Sequence, residues 1–207
     1  MTGRCLVDAH GVGPTTLHEE ERSTKSHKTA LKDFVFSSCD FLDRSLRWRR
    51  LTAWKQEDSS GGPVLIVLNQ QHVQAINAHG ERDYPYECCG LLIGRFLQDG
   101  RKEVVETYPI SNAREEEAKR NRFLIRPEEL LAGERAAMQK GLDVVGFYHS
   151  HPDEAAVPSR YDLDHAWPIY SYIIVSVGEG SARDLRSWEM ESDRSNFNPE
   201  EISKGQQ

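Results

Sequence analysis

The sequence predicts a mixed α/β (α+β) domain over residues 63–190, on three observations. Apolar runs of strand length recur between Val64 and Met190, helix-period segments lie between them, and Gly, Pro and Asp-Gly punctuation separates one from the next. At 207 residues with 38% hydrophobic content, the chain can build one such core with material left at both ends.

Taking the elements in order, Ser59-Ser60-Gly61-Gly62-Pro63 has the composition of a linker. Residues 1–62 before it form an N-terminal extension expected to be poorly ordered. Val64–Leu68 reads as a buried strand, and Gln70 to about Gly80 as a helix with Val73 and Ile76 on one side. Cys89–Phe96 and Lys102–Ile110 then make a short antiparallel hairpin across Gln98-Asp99-Gly100, because Asp-Gly between β-forming runs favours a tight turn. Ser111–Asn121 is too polar to bury and reads as a loop near function, followed by Arg122–Ile125 as a further short strand.

Pro127 opens a helix: proline suits the first turn, Glu128 and Glu129 complement the positive N-terminus, and Gly141 follows the last turn. Leu130, Leu131, Ala137 and Met138 supply its apolar face. Val144–His151 and Ser171–Val177 carry the strongest strand signals, and Asp184–Met190 is a weaker strand joined through Gly178-Glu179-Gly180. Residues 191–207 are polar and read as a C-terminal tail.

Charge and cysteine usage narrow the function classes. The net charge of -7 argues against nucleic acid as a partner, since that affinity rests on clustered Lys and Arg. The four cysteines, Cys5, Cys39, Cys88 and Cys89, form no C-x-x-C pair, and adjacent Cys88 and Cys89 are hard to join without strain. Free thiols in a reducing, cytoplasmic compartment are the expectation. The first thirty residues hold no apolar export segment and no run approaches the ~20 residues of a membrane span, so no membrane association is expected.

Chemistry concentrates at His149-Ser150-His151, at the end of an apolar strand, where a period of two puts both imidazoles on one face as a chelate. A catalytic zinc site takes three protein ligands and keeps one position open. Asp162 follows eleven residues later, where a helix begins in Pro158-Ser159-Arg160-Tyr161-Asp162. The same Ser-x-x-Asp pattern also describes a helix cap, and Asp153, Asp164 and His165 compete as third ligands. Hydrolysis further requires a carboxylate near the metal that takes a proton from water. Glu87 enters a buried strand, an odd place for an uncompensated charge, although an exposed edge residue would look the same.

These residues together resemble the JAMM/MPN+ metallopeptidases (the JAB, Mov34/MPN/PAD-1 group), in their stand-alone bacterial and archaeal branch. The family pattern of an upstream Glu, H-x-H-P, six residues and S-x-x-D is met by Glu87, His149-Ser150-His151-Pro152 and Ser159-Arg160-Tyr161-Asp162. Pro85 and Glu87–Gly94 resemble the family's P-x-E-x-C-G-L-L-x-G strand. The resemblance implies a cytidine-deaminase-like mixed sheet flanked by helices, one Zn2+ held by His149, His151 and Asp162, Glu87 as general base, and Ser159 as oxyanion donor. It also implies a peptidase or isopeptidase acting after the C-terminal Gly-Gly of a ubiquitin-like or sulfur-carrier β-grasp protein, with room for a homodimer. A non-catalytic MPN scaffold and a zinc hydrolase of small amides are the alternatives; scaffold modules usually lack one or more ligands, and none is missing here.

Overall fold

A computed structural model describes residues 65–205. The expectation for residues 1–62 lies outside that range.

Seven strands and three helices follow in the order β1 (Leu65–Leu68), α1 (Gln70–Asp83), β2 (Cys89–Phe96), β3 (Lys102–Ile110), α2 (Pro127–Gln139), β4 (Asp143–Pro152), α3 (Arg160–His165), β5 (Ser171–Gly178), β6 (Ser181–Met190) and β7 (Phe197–Lys204). The strands close on themselves in the order β1-β3-β2-β4-β5-β6-β7. β1 pairs in parallel with both β3 and β7, and β4 in parallel with β5, while the remaining ladders are antiparallel. The mixed sheet flanked by helices is therefore present, curled into a barrel.

α1 starts on an Asn69 cap whose side chain accepts from the His72 amide at 2.9 Å, and it runs one turn past Gly80. Gly80 does not end the helix because it sits against the sheet, where a Cβ would lie 2.9 Å from Val177 Cγ2. Ile76, with Val73 beside it, joins Ile66, Leu68, Leu92, Val104, Val145, Tyr148, Ile173, Val175 and Val177 in the largest core cluster. α2 covers other strands, with Ala137 against Ile93 and Leu142, and Leu130 against the cluster of Cys89, Leu91, Ile110 and Val144. Met138 departs from the expected apolar face at 53% exposure, because one residue past Ala137 turns it about 100° away from the buried side. Gly141 takes φ +67° after the last turn, the left-handed conformation that glycine adopts without a Cβ clash.

Two elements differ from the expectations. Arg122–Ile125 is not a strand: Ala113 N donates to Leu124 O at 3.0 Å and Leu124 N donates to the Asn112 side chain, while Phe123 and Ile125 pack beneath as loop residues. The polar stretch after residue 190 is not simply a tail, since residues 197–204 form β7 and close the sheet. Its inward residues are Phe197 and Glu200, and the buried Glu200 carboxylate is compensated by Lys102 Nζ at 3.1 Å and by the Ser171 and Ser187 hydroxyls. A strand that buries a charge against a distant lysine has no hydrophobic alternation to read.

Candidate metal centre

The centre is built on β4. In its register with β2 and β5, His149 stands opposite Cys89 and Ile174, and the pleat sends Tyr148 and Ser150 to the other face. Tyr148 lies in the core over Gly90, where any Cβ would come within 2.4 Å of its ring, and its hydroxyl meets His79 Nδ1 at 2.8 Å. Ser150 Oγ accepts from the Cys88 amide at 2.8 Å, locking β4 to the chain just after Glu87. This anchored underside leaves both imidazoles on the opposite face, His149 at 2% and His151 at 8% exposure.

His151 Nδ1 lies 2.9 Å from the Ala155 carbonyl. A carbonyl only accepts, so the ring proton sits on Nδ1 and the Nε2 lone pair points into the site. His149 is held by stacking on Phe123, 4.7 Å between centroids, and its buried Nδ1 has no hydrogen-bond partner. The two Nε2 atoms stand 3.0 Å apart.

The loop after β4 turns sharply at Asp153 (φ 61°), whose amide donates to Val177 O, and delivers Ser159 and α3 back toward the histidines. Ser159 caps α3 reciprocally: Asp162 N donates to Ser159 Oγ at 3.2 Å and Ser159 N donates to Asp162 Oδ2 at 2.6 Å. The capping arrangement thus also aims the carboxylate, with Asp162 Oδ1 3.4 Å from His149 Nε2 and Oδ2 3.6 Å from His151 Nε2. The competing residues are elsewhere engaged: Asp153 with Tyr84 and Arg120, Asp164 with Arg160, and His165 with the Tyr161 carbonyl.

Donor atoms of His149, His151 and Asp162 lie within 4.8 Å of one another, the sole such cluster among the described residues. A tetrahedral ion with ligands at ~2.0–2.1 Å separates neighbouring donors by roughly 3.3–3.4 Å. The two Nε2 atoms at 3.0 Å stand close to that edge, Asp162 presents Oδ1 to His149 at 3.4 Å and Oδ2 to His151 at 3.6 Å, and two neutral imidazoles with a carboxylate suit zinc. The residues fit the ion.

Charge follows from enclosure. Burial pushes the Glu87 carboxyl up to about 8, with His151 and Arg122 pulling it down and Asp162 pushing it further up. His149 is driven down to about 4, by burial first, against the pull of Asp162. Burial would lower His151 too, but the Asp162 carboxylate and the Ala155 carbonyl outweigh it and leave its pKa raised. Burial would raise Asp162, yet the two histidines and the Ser159 hydrogen bonds hold it well below the usual carboxylate range.

The sequence model described as prokaryotic homologs of the JAB domain matches residues 69–191, more than half of the chain and the whole of this centre. The chain belongs to the prokaryotic JAB-domain family. A desampylase of Haloferax volcanii is 40% identical over 45% of this chain and 65% of its own length, so the chain spans just under two thirds of that relative. A CysO-cysteine peptidase of Mycobacterium tuberculosis is 32% identical over 62% of this chain and 84% of its own. A solved protein of Desulfitobacterium hafniense superposes with a TM-score of 0.60 at 30% identity, covering 69% of this chain and 94% of that one.

Within the JAB domain, residues outside the motif support the centre. Asn112 uses its whole side-chain amide: Nδ2 donates to the Glu87 and Arg122 carbonyls at 2.9 and 3.0 Å, and Oδ1 accepts from the Arg114 and Leu124 amides. Glu87 N also donates to Lys119 O at 2.8 Å, so the 111–126 loop is tied to the backbone of Glu87 at both ends of that residue. An asparagine after a strand reads only as a turn former, and no local spacing reveals the partner carbonyls. Cys88 and Cys89 are both free and buried; adjacent positions on the pleat send them into separate core clusters, and burial raises both thiols, Cys88 to about 12. No described helix is long and apolar enough to cross a membrane.

Proposed function

We propose that this JAB domain is a zinc-dependent hydrolase that cuts a peptide or isopeptide bond after the C-terminal Gly-Gly of a ubiquitin-like or sulfur-carrier β-grasp protein. The observation that carries the reading is the convergence of two imidazoles and the Asp162 carboxylate, with the buried carboxyl of Glu87 beside them. The relatives named desampylase and CysO-cysteine peptidase support the substrate class. Buried free thiols support a reducing, cytoplasmic setting.

Zinc held by His149, His151 and Asp162 would polarise the scissile carbonyl and make water acidic enough to attack near neutral pH. Glu87, in the carboxylate form that a neighbouring dication favours, takes the proton of the attacking water and passes it to the departing amine. The water oxygen joins the glycyl carbonyl carbon, the C–N bond breaks, and the amine leaves carrying that proton. Ser159 Oγ already accepts from the Asp162 amide, so its O–H remains to donate to the carbonyl oxygen as negative charge develops there.

For an extended Gly-Gly tail, the sheet offers a stretch beside the 111–126 loop: β1 covers β3 only at Lys102 and Glu103, and the rest of β3 has a ladder with β2 alone. The test is incubation of a β-grasp carrier extended past Gly-Gly with protein as purified, chelated, and zinc-restored, read by mass spectrometry. Cleavage after Gly-Gly that disappears with chelator and returns with zinc is expected; zinc-loaded protein that leaves the carrier intact would overturn the reading.

A further inference from the structure

Two guanidinium groups beside the centre have no carboxylate partner among the described residues. Arg114 donates to the Tyr161 hydroxyl, its buried Nε has no acceptor, and its guanidinium lies 5.5 Å from the Tyr161 ring centroid. Arg122 lies 4.6 Å from the same centroid and donates only to the neighbouring Asn121 carbonyl. The arginines around them are paired, Arg120 with Asp153 and Arg160 with Asp164, and the adjacent Glu116 takes Lys119 instead. Half-buried cations without a carboxylate partner stand out in a chain of net charge -7 that pairs the arginines beside them.

Their position is tied to the chemistry from both sides. Tyr161, which both guanidiniums approach, immediately precedes Asp162, and Arg122 immediately precedes Phe123, the ring stacked on His149. Arg122 is also near enough to act electrostatically on Glu87, the group that returns a proton to the departing amine. Arg122 thus stands within electrostatic range of Glu87, and Arg114 shares the Tyr161 ring with it.

We propose that Arg114 and Arg122 bind the free α-carboxylate of the residue released, so that the site prefers a carrier protein ending in one amino acid beyond Gly-Gly over a carrier joined to a lysine side chain. The assignment rests on the hydrolase reading above. In an α-linked leaving group the carboxyl carbon lies about 2.5 Å from the amine nitrogen, within reach of a guanidinium placed near Glu87. In an isopeptide the departing nitrogen is a lysine Nζ, separated from its own main chain by the whole side chain, and it brings no carboxylate to that place.

The experiment compares three substrates with zinc-loaded protein: a β-grasp carrier ending Gly-Gly-Ala as the free acid, the same carrier as its C-terminal amide, and the carrier joined through Gly-Gly to a lysine side chain. Wild type is expected to favour the free acid over the amide by roughly 10- to 100-fold in kcat/KM, mostly through KM, as suits loss of a charge-assisted hydrogen bond. In Arg122→Ala and Arg114→Ala the acid-over-amide ratio of kcat/KM should fall toward one, whatever the absolute rates, and Arg122→Lys should restore part of the ratio. Should Arg114→Ala fail to fold, the Arg122 variants alone carry the comparison. Equal cleavage of acid and amide by wild type, or an undiminished acid preference in Arg122→Ala, overturns the carboxylate assignment and leaves the hydrolase reading standing. Cleavage of none of the three removes both.

Discussion

Replacing Glu87 by Gln should stabilise the metal-free protein, and the gain should grow with pH. Glu87 is 6% exposed, and burial moves its carboxyl from 4.5 to about 8. Because the folded pKa lies above the unfolded one, the folded state binds the extra proton between those values. Glu87 therefore weighs nothing against the fold below pH 4.5 and increasingly destabilises it as pH rises toward 8. At about 1.4 kcal/mol per pH unit, the window of roughly three and a half units amounts to on the order of 5 kcal/mol, an upper bound since the neighbouring histidines and Asp162 titrate alongside. Gln keeps the shape without the charge. Urea denaturation of both proteins in chelator at pH 5, 7 and 8.5 should show near-equal stabilities at the lowest pH and a widening advantage for Glu87→Gln above it. Zinc should shrink the gap, because a dication favours the carboxylate form. Stabilities that run parallel across the range would refute the burial argument.

Three further outcomes follow from the packing. Lys102→Met takes the lysine from the buried Glu200 carboxylate in the sheet closure and should cost about 3–5 kcal/mol, read by urea midpoint; a cost under about 1 kcal/mol would contradict it. Asn112→Ala removes four hydrogen bonds around Glu87 and should slow carrier cleavage at least about tenfold with zinc content unchanged, measured by kinetics beside metal analysis. Ser159→Ala should lose roughly 1 kcal/mol as a cap and about 10²-fold or more in kcat as an oxyanion donor; losing only the first would reduce Ser159 to a cap.

Much of this arrangement was legible from residue order, for identifiable reasons. Lys102–Ile110 and Cys89–Phe96 are strands over the expected spans because two β-forming runs flank an Asp-Gly pair that favours a tight hairpin turn. The histidine pair was readable because period two forces two side chains onto one face, and the six-residue loop brings Ser159 and Asp162 back to them. What escaped depends on distant partners. β7 hides in polar sequence because Glu200 is neutralised by a lysine almost a hundred residues earlier, as the Lys102 contact records. Phe123 and Ile125 look like strand residues because burial demands apolarity whether or not a ladder forms. Asn112 was invisible because its partners are backbone carbonyls and amides, which carry no sequence signature.

The central claim is tested most directly by metal analysis and carrier cleavage on wild type, Glu87→Gln and Asp162→Asn side by side. Near-stoichiometric zinc is expected in wild type and Glu87→Gln, with cleavage after Gly-Gly only in wild type, and depleted zinc with no cleavage in Asp162→Asn. Full cleavage by Glu87→Gln, or undiminished zinc and activity in Asp162→Asn, would contradict the account.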